Sequence, residues 1–228
     1  MSKAGLPAHG AAVALLHSPL AARLLEFNLL PARGAESARL DRLLPKELRE
    51  RLAVAAGAQF ERHLSEWLLD ALGVRQRLVL DPAEPALPVA LAPAPLLGRL
   101  RRHLGLVQAN RRVRHAIVRT DAQLLSETLD ADALRFARLR APQFGEGEPA
   151  LSDWPLAQVL AALDVLGDAV LERSLQGAAP ALAQRARLRW PDPQSTPASL
   201  DPAAALQLAR AVLEDLDAPW LSSFPRSH

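Results

Sequence analysis

Six histidines, at positions 9, 17, 63, 103, 115 and 228, carry most of the chemical capacity of this sequence, and they are scattered along it. The best metal-like grouping is His63, Glu66 and Asp70, whose i, i+3, i+7 spacing can set three ligands along one side of a helix. Two-metal helical bundles use Glu-x-x-His with carboxylates from neighbouring helices; this segment reverses that order and reads first as a solvated polar face. The zinc-protease pattern H-E-x-x-H is missing, and so is a glycine-rich phosphate cradle of the form G-x-x-x-x-G-K-[ST]. Gly145 and Gly147 sit among acidic residues that would repel a phosphate. A serine hydrolase needs a strand-to-helix elbow such as G-x-S-x-G, and none occurs. With no cysteine there is no thiolate nucleophile, thiolate ligand or disulfide framework, which fits a reducing compartment. No catalytic, cofactor-binding or metal-binding residue is assigned, and the expectation is a protein that is not an enzyme.

One charge feature stands out. The window from Arg99 to Arg119 holds seven arginines, at 99, 101, 102, 111, 112, 114 and 119, and no acidic residue. The whole chain carries +2 and this window +7, so the remainder carries −5. Helical phase turns Arg101, Arg102, Arg111 and Arg114 away from the Leu and Val stripe, which predicts one outward patch and makes these four the candidate protein-binding residues. Three readings are open. The arginines can be a solvated face paired with carboxylates elsewhere. They can dock an acidic protein surface, where charge complementarity sets orientation and rate. Or Leu96 to Val118 can be helix, Gly-Leu turn, helix, a helix-turn-helix for DNA, although its second helix would open on Val107, Gln108 and Ala109 with one base-reading side chain.

These groups need helices to place them. Ala and Leu dominate the hydrophobic half of the composition, aromatics are 4% and Tyr is absent, so the fold class read here is mainly α, an irregular multi-helix globular fold with at most a minor β element. Pro45 in a first turn, with apolar residues at 48, 52, 56, 60, 64, 67 and 68, predicts one long helix to Leu72, stopped by Gly73. Arg77 to Leu80 reads as a short strand. Asp81 to Pro95 carries five prolines, which predicts extended chain packed on the domain surface. The organisation expected is one helical domain over 1–228 with a seam at 81–95, between an N-terminal part, 1–80, and a C-terminal helical part, 96–228.

Beyond the seam the signals are local. A break is expected near Gly105, a capping box at Thr120 and Gln123, a cap at Asp130 for a helix to Leu139, and a cap at Ser152 or Asp153 for one entered at Pro155. Asp201 and Pro202 start the last helix, to Leu216, and Pro191 to Pro197 reads as a loop. Trp67 lies on the apolar stripe, while Trp154, Trp190 and Trp220 stand beside prolines at element ends, as core rim or as interface anchors. No apolar run reaches the roughly 18 residues a spanning helix needs. Lys3, His17, Pro19 and Arg23 interrupt any signal-peptide core, so Met1 to Leu25 reads as mature sequence.

The run Leu-Leu-Gly-Arg-Leu-Arg-Arg-His-Leu-Gly-Leu-Val, 96–107, continues into Val113-Arg114, Ile117 and Val118, then Asp130 and Leu134-Arg135. This block resembles the central region of the YscK/SctK family of bacterial type III secretion systems. The overall length, Phe27-Asn28 followed by a proline and the proline-bounded C-terminal helix are compatible with that family. The resemblance implies a non-catalytic, cofactor-free adaptor of the cytoplasmic sorting platform. It would join the cytoplasmic domain of the inner-membrane ring protein SctD to the pod protein SctQ, and through them act on the stator and ATPase. That role implies a cytoplasmic location at the inner face of the inner membrane, reached through partners, with no nucleic-acid partner and no membrane insertion.

Overall fold

The computed structural model describes residues 20–52, 57–191 and 200–225. The structure is mainly α, as the composition predicts: 70% helical, with no strand among the described residues. In chain order come α1 (Ala21–Leu29), a 3-10 turn (Pro31–Gly34), α2 (Ser37–Leu43), α3 (Lys46–Leu52), α4 (Ala58–Ala71) and α5 (Leu87–Ala90). Then follow α6 (Ala94–Gln108), α7 (Asn110–Arg114), α8 (Arg119–Thr128), α9 (Ala131–Leu139) and two 3-10 turns (Ala141–Phe144, Pro149–Leu151). The chain continues with α10 (Leu156–Ala161), α11 (Leu163–Ser174), α12 (Pro180–Arg187), α13 (Pro202–Leu216) and α14 (Ala218–Ser222). It divides into two compact units: it enters the second at Ala92, and returns to the first for a stretch beginning at Ala178 that contains α12.

In the first unit, α4 lays Leu64 and Leu68 against Leu44 and Leu188, with Leu40, Phe60 and Trp67 packed on the edge of that cluster. The long helix expected from Pro45 to Leu72 is two helices. Gly57 has φ +128°, a conformation foreign to an α-helix, and α4 starts directly after it. Residues 53–56 of that expected helix lie outside the described residues. Gly73, at φ +66°, ends α4 as expected, and the Val74 N–H reaches back to the Leu69 carbonyl at 2.9 Å in a Schellman closure.

Two polar side chains hold the rest of this unit. Arg185 of α12 is 1% exposed and donates to the carbonyls of Val74 (2.9 Å), Arg77 (3.0 Å) and Ala181 (3.0 Å), while burial lowers its pKa. Buried Asn28 of α1 donates to the Val79 carbonyl at 2.9 Å and accepts the Val79 N–H at 2.7 Å. The strand expected at Arg77 to Leu80 therefore has a side-chain amide where a neighbouring strand would be. The proline-dense segment also departs from its reading as extended chain. Ala86 to Ala92 are buried, Pro88 starts α5, and Pro95 sits in the first turn of α6.

The second unit is built on α6, α11 and α13. Leu100, Leu104, Leu163, Leu166, Val170 and Leu213 are each 1% exposed or less. Gly105 does not break the chain, because α6 runs straight through it. A methyl group there would lie 2.0 Å from the Leu163 carbonyl oxygen, and one on Gly167 of α11 would lie 1.9 Å from that of Arg101. The two helices thus run antiparallel with their backbones in contact at two points, where only glycine fits. The alternative helix, Gly-Leu turn, helix arrangement over Leu96 to Val118 is not what forms: Val107 and Gln108 are buried in α6, and the next helix, α7, is five residues long.

Asp130 caps α9 through the Ala133 N–H at 2.8 Å, and Asp201 caps α13 through Ala203 (2.9 Å) and Ala204 (3.0 Å), both as expected. The Thr120 box does not form: α8 starts at Arg119, with Val118 at its cap position, and Gln123 bonds Glu127. Nor do Ser152 or Asp153 cap α10, whose start is Pro155 with no side-chain bond; the helix expected to run on through Leu171 is interrupted at Ala162. The loop expected over Pro191 to Pro197 lies, beyond Pro191, outside the described residues, as does most of Met1 to Leu25. Among the described residues no helix is long and apolar enough to cross a membrane.

Candidate protein-binding surface

The arginine window begins on α6, whose Leu96, Leu97, Leu100 and Leu104 bury one face. The antiparallel contact with α11 decides what the other arginines of that helix meet. Asp164 and Asp168, one turn apart on α11, stand opposite Arg102 and Arg101. Arg101 grips Asp168 with two hydrogen bonds, 2.5 and 2.8 Å, with the aspartate side chain 4% and the arginine 21% exposed. Arg102 makes the same fork to Asp164 at 2.7 and 3.2 Å, nearer to solvent, and this hydrogen bond raises its pKa. These two of the four candidate binding residues therefore hold α6 to α11 and do not form one free outward patch with the others. Helical phase turned them off the leucine stripe correctly, but phase says nothing about a carboxylate arriving from a helix 60 residues later.

Two further arginines are also engaged. Arg112, on α7, donates to the Trp154 carbonyl at 2.9 Å and lies 3.3 Å from Asp121 of α8. Arg99 pairs with Asp132 at 2.9 Å, and Arg135 joins the same carboxylate at 2.8 Å. The hydrogen bond from Arg99 is the main reason that the Asp132 carboxyl sits below the usual range. Beside it, His103 is 3% exposed, with Nδ1 2.7 Å from the Arg99 carbonyl and its ring edge-on to Phe136 at 4.3 Å. Burial lowers the His103 pKa, so the ring stays neutral and Nδ1 donates. Arg99, His103, Asp132, Arg135, Arg140 and Asp215 line a groove of about 340 Å³ in which carboxylates already answer the guanidiniums.

What remains is the corner between α7 and α8. Arg111, Arg114 and Arg119 are exposed and have no ion-pair partner among the described residues. Between them, Ile117 is 87% and Val118 60% exposed. Val113 is buried, which anchors the short α7, and Arg111 and Arg114 of the same helix are exposed. Arg111 and Arg114, from the sequence reading, are on this surface; Arg119, Ile117 and Val118 join them. The apolar pair is missed from sequence because helical phase gives side-chain direction only within a helix, and α7 ends at Arg114. A basic rim about an exposed apolar ridge is suited to an acidic surface with an apolar centre.

The sequence-derived ligand trio does not assemble. Asp70 and Glu66 both face Arg75, at 2.6 and 3.6 Å, and among the described residues no group of three His, Asp or Glu side chains is placed to hold a metal ion. Of the tryptophans, Trp190 is wholly buried, Trp67 packs on the first unit's core, and Trp154 and Trp220 are half-buried. No protein-family model, curated protein or solved structure compared with this chain matches it.

Proposed function

We propose that this chain is a non-catalytic adaptor of the type III secretion sorting platform, linking the cytoplasmic domain of the ring protein SctD to the pod protein SctQ. The observation that carries the reading is the α7–α8 corner. Three arginines with no ion-pair partner among the described residues, and two exposed apolar side chains, lie within the block whose sequence resembles the YscK/SctK family. Free cations around an apolar ridge supply both the steering and the desolvated contact that docking uses. In this reading the acidic partner is the SctD cytoplasmic domain.

The test is binding of purified SctD cytoplasmic domain and SctQ to the chain and to Arg111→Glu/Arg114→Glu/Arg119→Glu. The triple variant should weaken the acidic partner's complex by at least about tenfold and flatten the loss of binding with salt that the parent complex shows. Its circular dichroism and Tm should not move, since none of the three arginines holds another element. Unchanged affinity for both proteins removes the corner from the proposal; absence of binding by the parent chain removes the adaptor role. Salt-dependent binding of duplex DNA by the parent chain would favour the nucleic-acid reading instead.

A further inference from the structure

Residues 77–81, Arg-Leu-Val-Leu-Asp, alternate in two independent ways. Val79 is 7% exposed, between Leu78 at 50% and Leu80 at 49%. Hydrogen bonding follows the same period. The Arg77 N–H donates to the Val74 carbonyl at 3.0 Å, the Arg77 carbonyl accepts from Arg185 at 3.0 Å, and Val79 exchanges both its backbone groups with Asn28. The backbone groups of Leu78 and Leu80 have no partner among the described residues. Successive residues of an extended strand point their N–H and C=O to opposite edges. One edge of this segment is thus filled by Val74, Arg185 and Asn28, and the other is open, with two exposed leucines beside it.

We infer that the open edge is closed by the same segment of a second copy of the chain, antiparallel about a two-fold axis, with Leu78 opposite the partner's Leu80. The sequence is self-complementary for that register: an apolar Leu-Val-Leu centre, a cation at one end and an anion at the other. Leu78 with the partner's Leu80, and Leu80 with the partner's Leu78, form the two hydrogen-bonded pairs, so every open donor and acceptor on both edges finds a partner. Val79 meets its own copy in the intervening non-bonded position, and its backbone stays with Asn28. Arg77 then faces the partner's Asp81. Within one chain Arg77 has no ion-pair partner among the described residues, and the Asp81 carboxylate accepts only the Ala83 N–H at 2.9 Å. A register slipped by two residues loses one leucine pair and separates the charges. The two-fold axis closes the assembly at a dimer, because each edge is used once. This inference draws nothing from the arginine surface of the second unit, so either can fail without the other.

The test is sedimentation velocity on the full chain up to roughly 100 µM, the range for so small an interface, together with residue-resolved amide exchange. The expected result is a concentration-dependent dimer in which Leu78 and Leu80 gain protection, while the Val79 amide is protected in monomer and dimer alike. Leu78→Lys/Leu80→Lys should raise the dimer dissociation constant at least about tenfold, since lysine on a strand edge opposes pairing. Arg77→Asp or Asp81→Arg alone should weaken the dimer by about tenfold, and the double variant should restore it to within about threefold, which a merely structural role would not do. A monomer throughout the range overturns the inference. So does a dimer in which the Leu78 and Leu80 amides exchange freely, or protection of those amides in the monomer, which would mean that the chain covers its own edge.

Discussion

Arg101 and Arg114 are thirteen residues apart in sequence, carry the same charge, and do opposite work. Arg101 neutralises an aspartate that has almost no access to water. Arg101→Ala should therefore cost about 3–5 kcal/mol, because it would strip both guanidinium hydrogen bonds from an almost wholly buried aspartate, as chemical denaturation will measure. Arg102→Ala, whose pair is more than a third exposed, should cost no more than about 1 kcal/mol. His103 gives a pH signature. Its folded pKa lies below the ordinary 6.5, so as the pH falls through about 6.5 the unfolded ring takes up a proton that the folded ring resists. Stability should drop on acidification from pH 7.5 to 5.5, and His103→Gln should flatten that part of the profile. Asp132, lowered by Arg99, acts in a separate window below its ordinary 3.8, where stability falls further as the carboxylate is protonated. Asn28→Leu keeps volume but orphans both backbone groups of Val79, which should cost about 2–4 kcal/mol by thermal or denaturant unfolding.

At the scale of elements, α6 supplies a test of sign. Gly98 faces open space, and Gly98→Ala should stabilise by about 0.5–1 kcal/mol, as alanine does in any exposed helix interior. Gly105→Ala, seven residues along the same helix, should destabilise by about 1–3 kcal/mol or more, because the Leu163 backbone would have to move. A helix scan in which both changes had the same sign would contradict the close crossing of α6 and α11. The same contrast shows what was legible in the sequence. Asp130, Asp201 and Gly73 were readable because caps and stops act within one turn of their own helix. Gly105 was not, since the reason for it is a carbonyl supplied by residue 163. α12 gave no reading at all: its start has Pro180 but no capping side chain, and what holds it is Arg185 reaching carbonyls more than 100 residues earlier. The proline segment misled because proline is a starter as well as a breaker, and Pro88 and Pro95 occupy first turns.

For the whole molecule, composition alone set the class: an Ala- and Leu-rich chain with little β-branched or aromatic content folds as helices. The charge ledger of the arginine window was also visible, but its partition was not. Four of the seven arginines are answered by carboxylates or carbonyls from other elements, and three are left at one corner, so the binding surface is a remainder that only the assembled unit defines. The binding reading would have been misplaced by half if tested on the four residues that helical phase selects. Replacing Arg101 with the others would unfold the crossing and mimic a lost contact. The return of the stretch from Ala178 to the first unit carries one more consequence, for synthesis. On a translating ribosome the carbonyls of Val74 and Arg77 wait for Arg185, so every helix from α6 to α11 emerges before the first unit can close. A nascent chain stalled at residue 177 should thus present the Val74 and Arg77 carbonyls, which Arg185 later covers, to chaperones and proteases on a first unit that is still open.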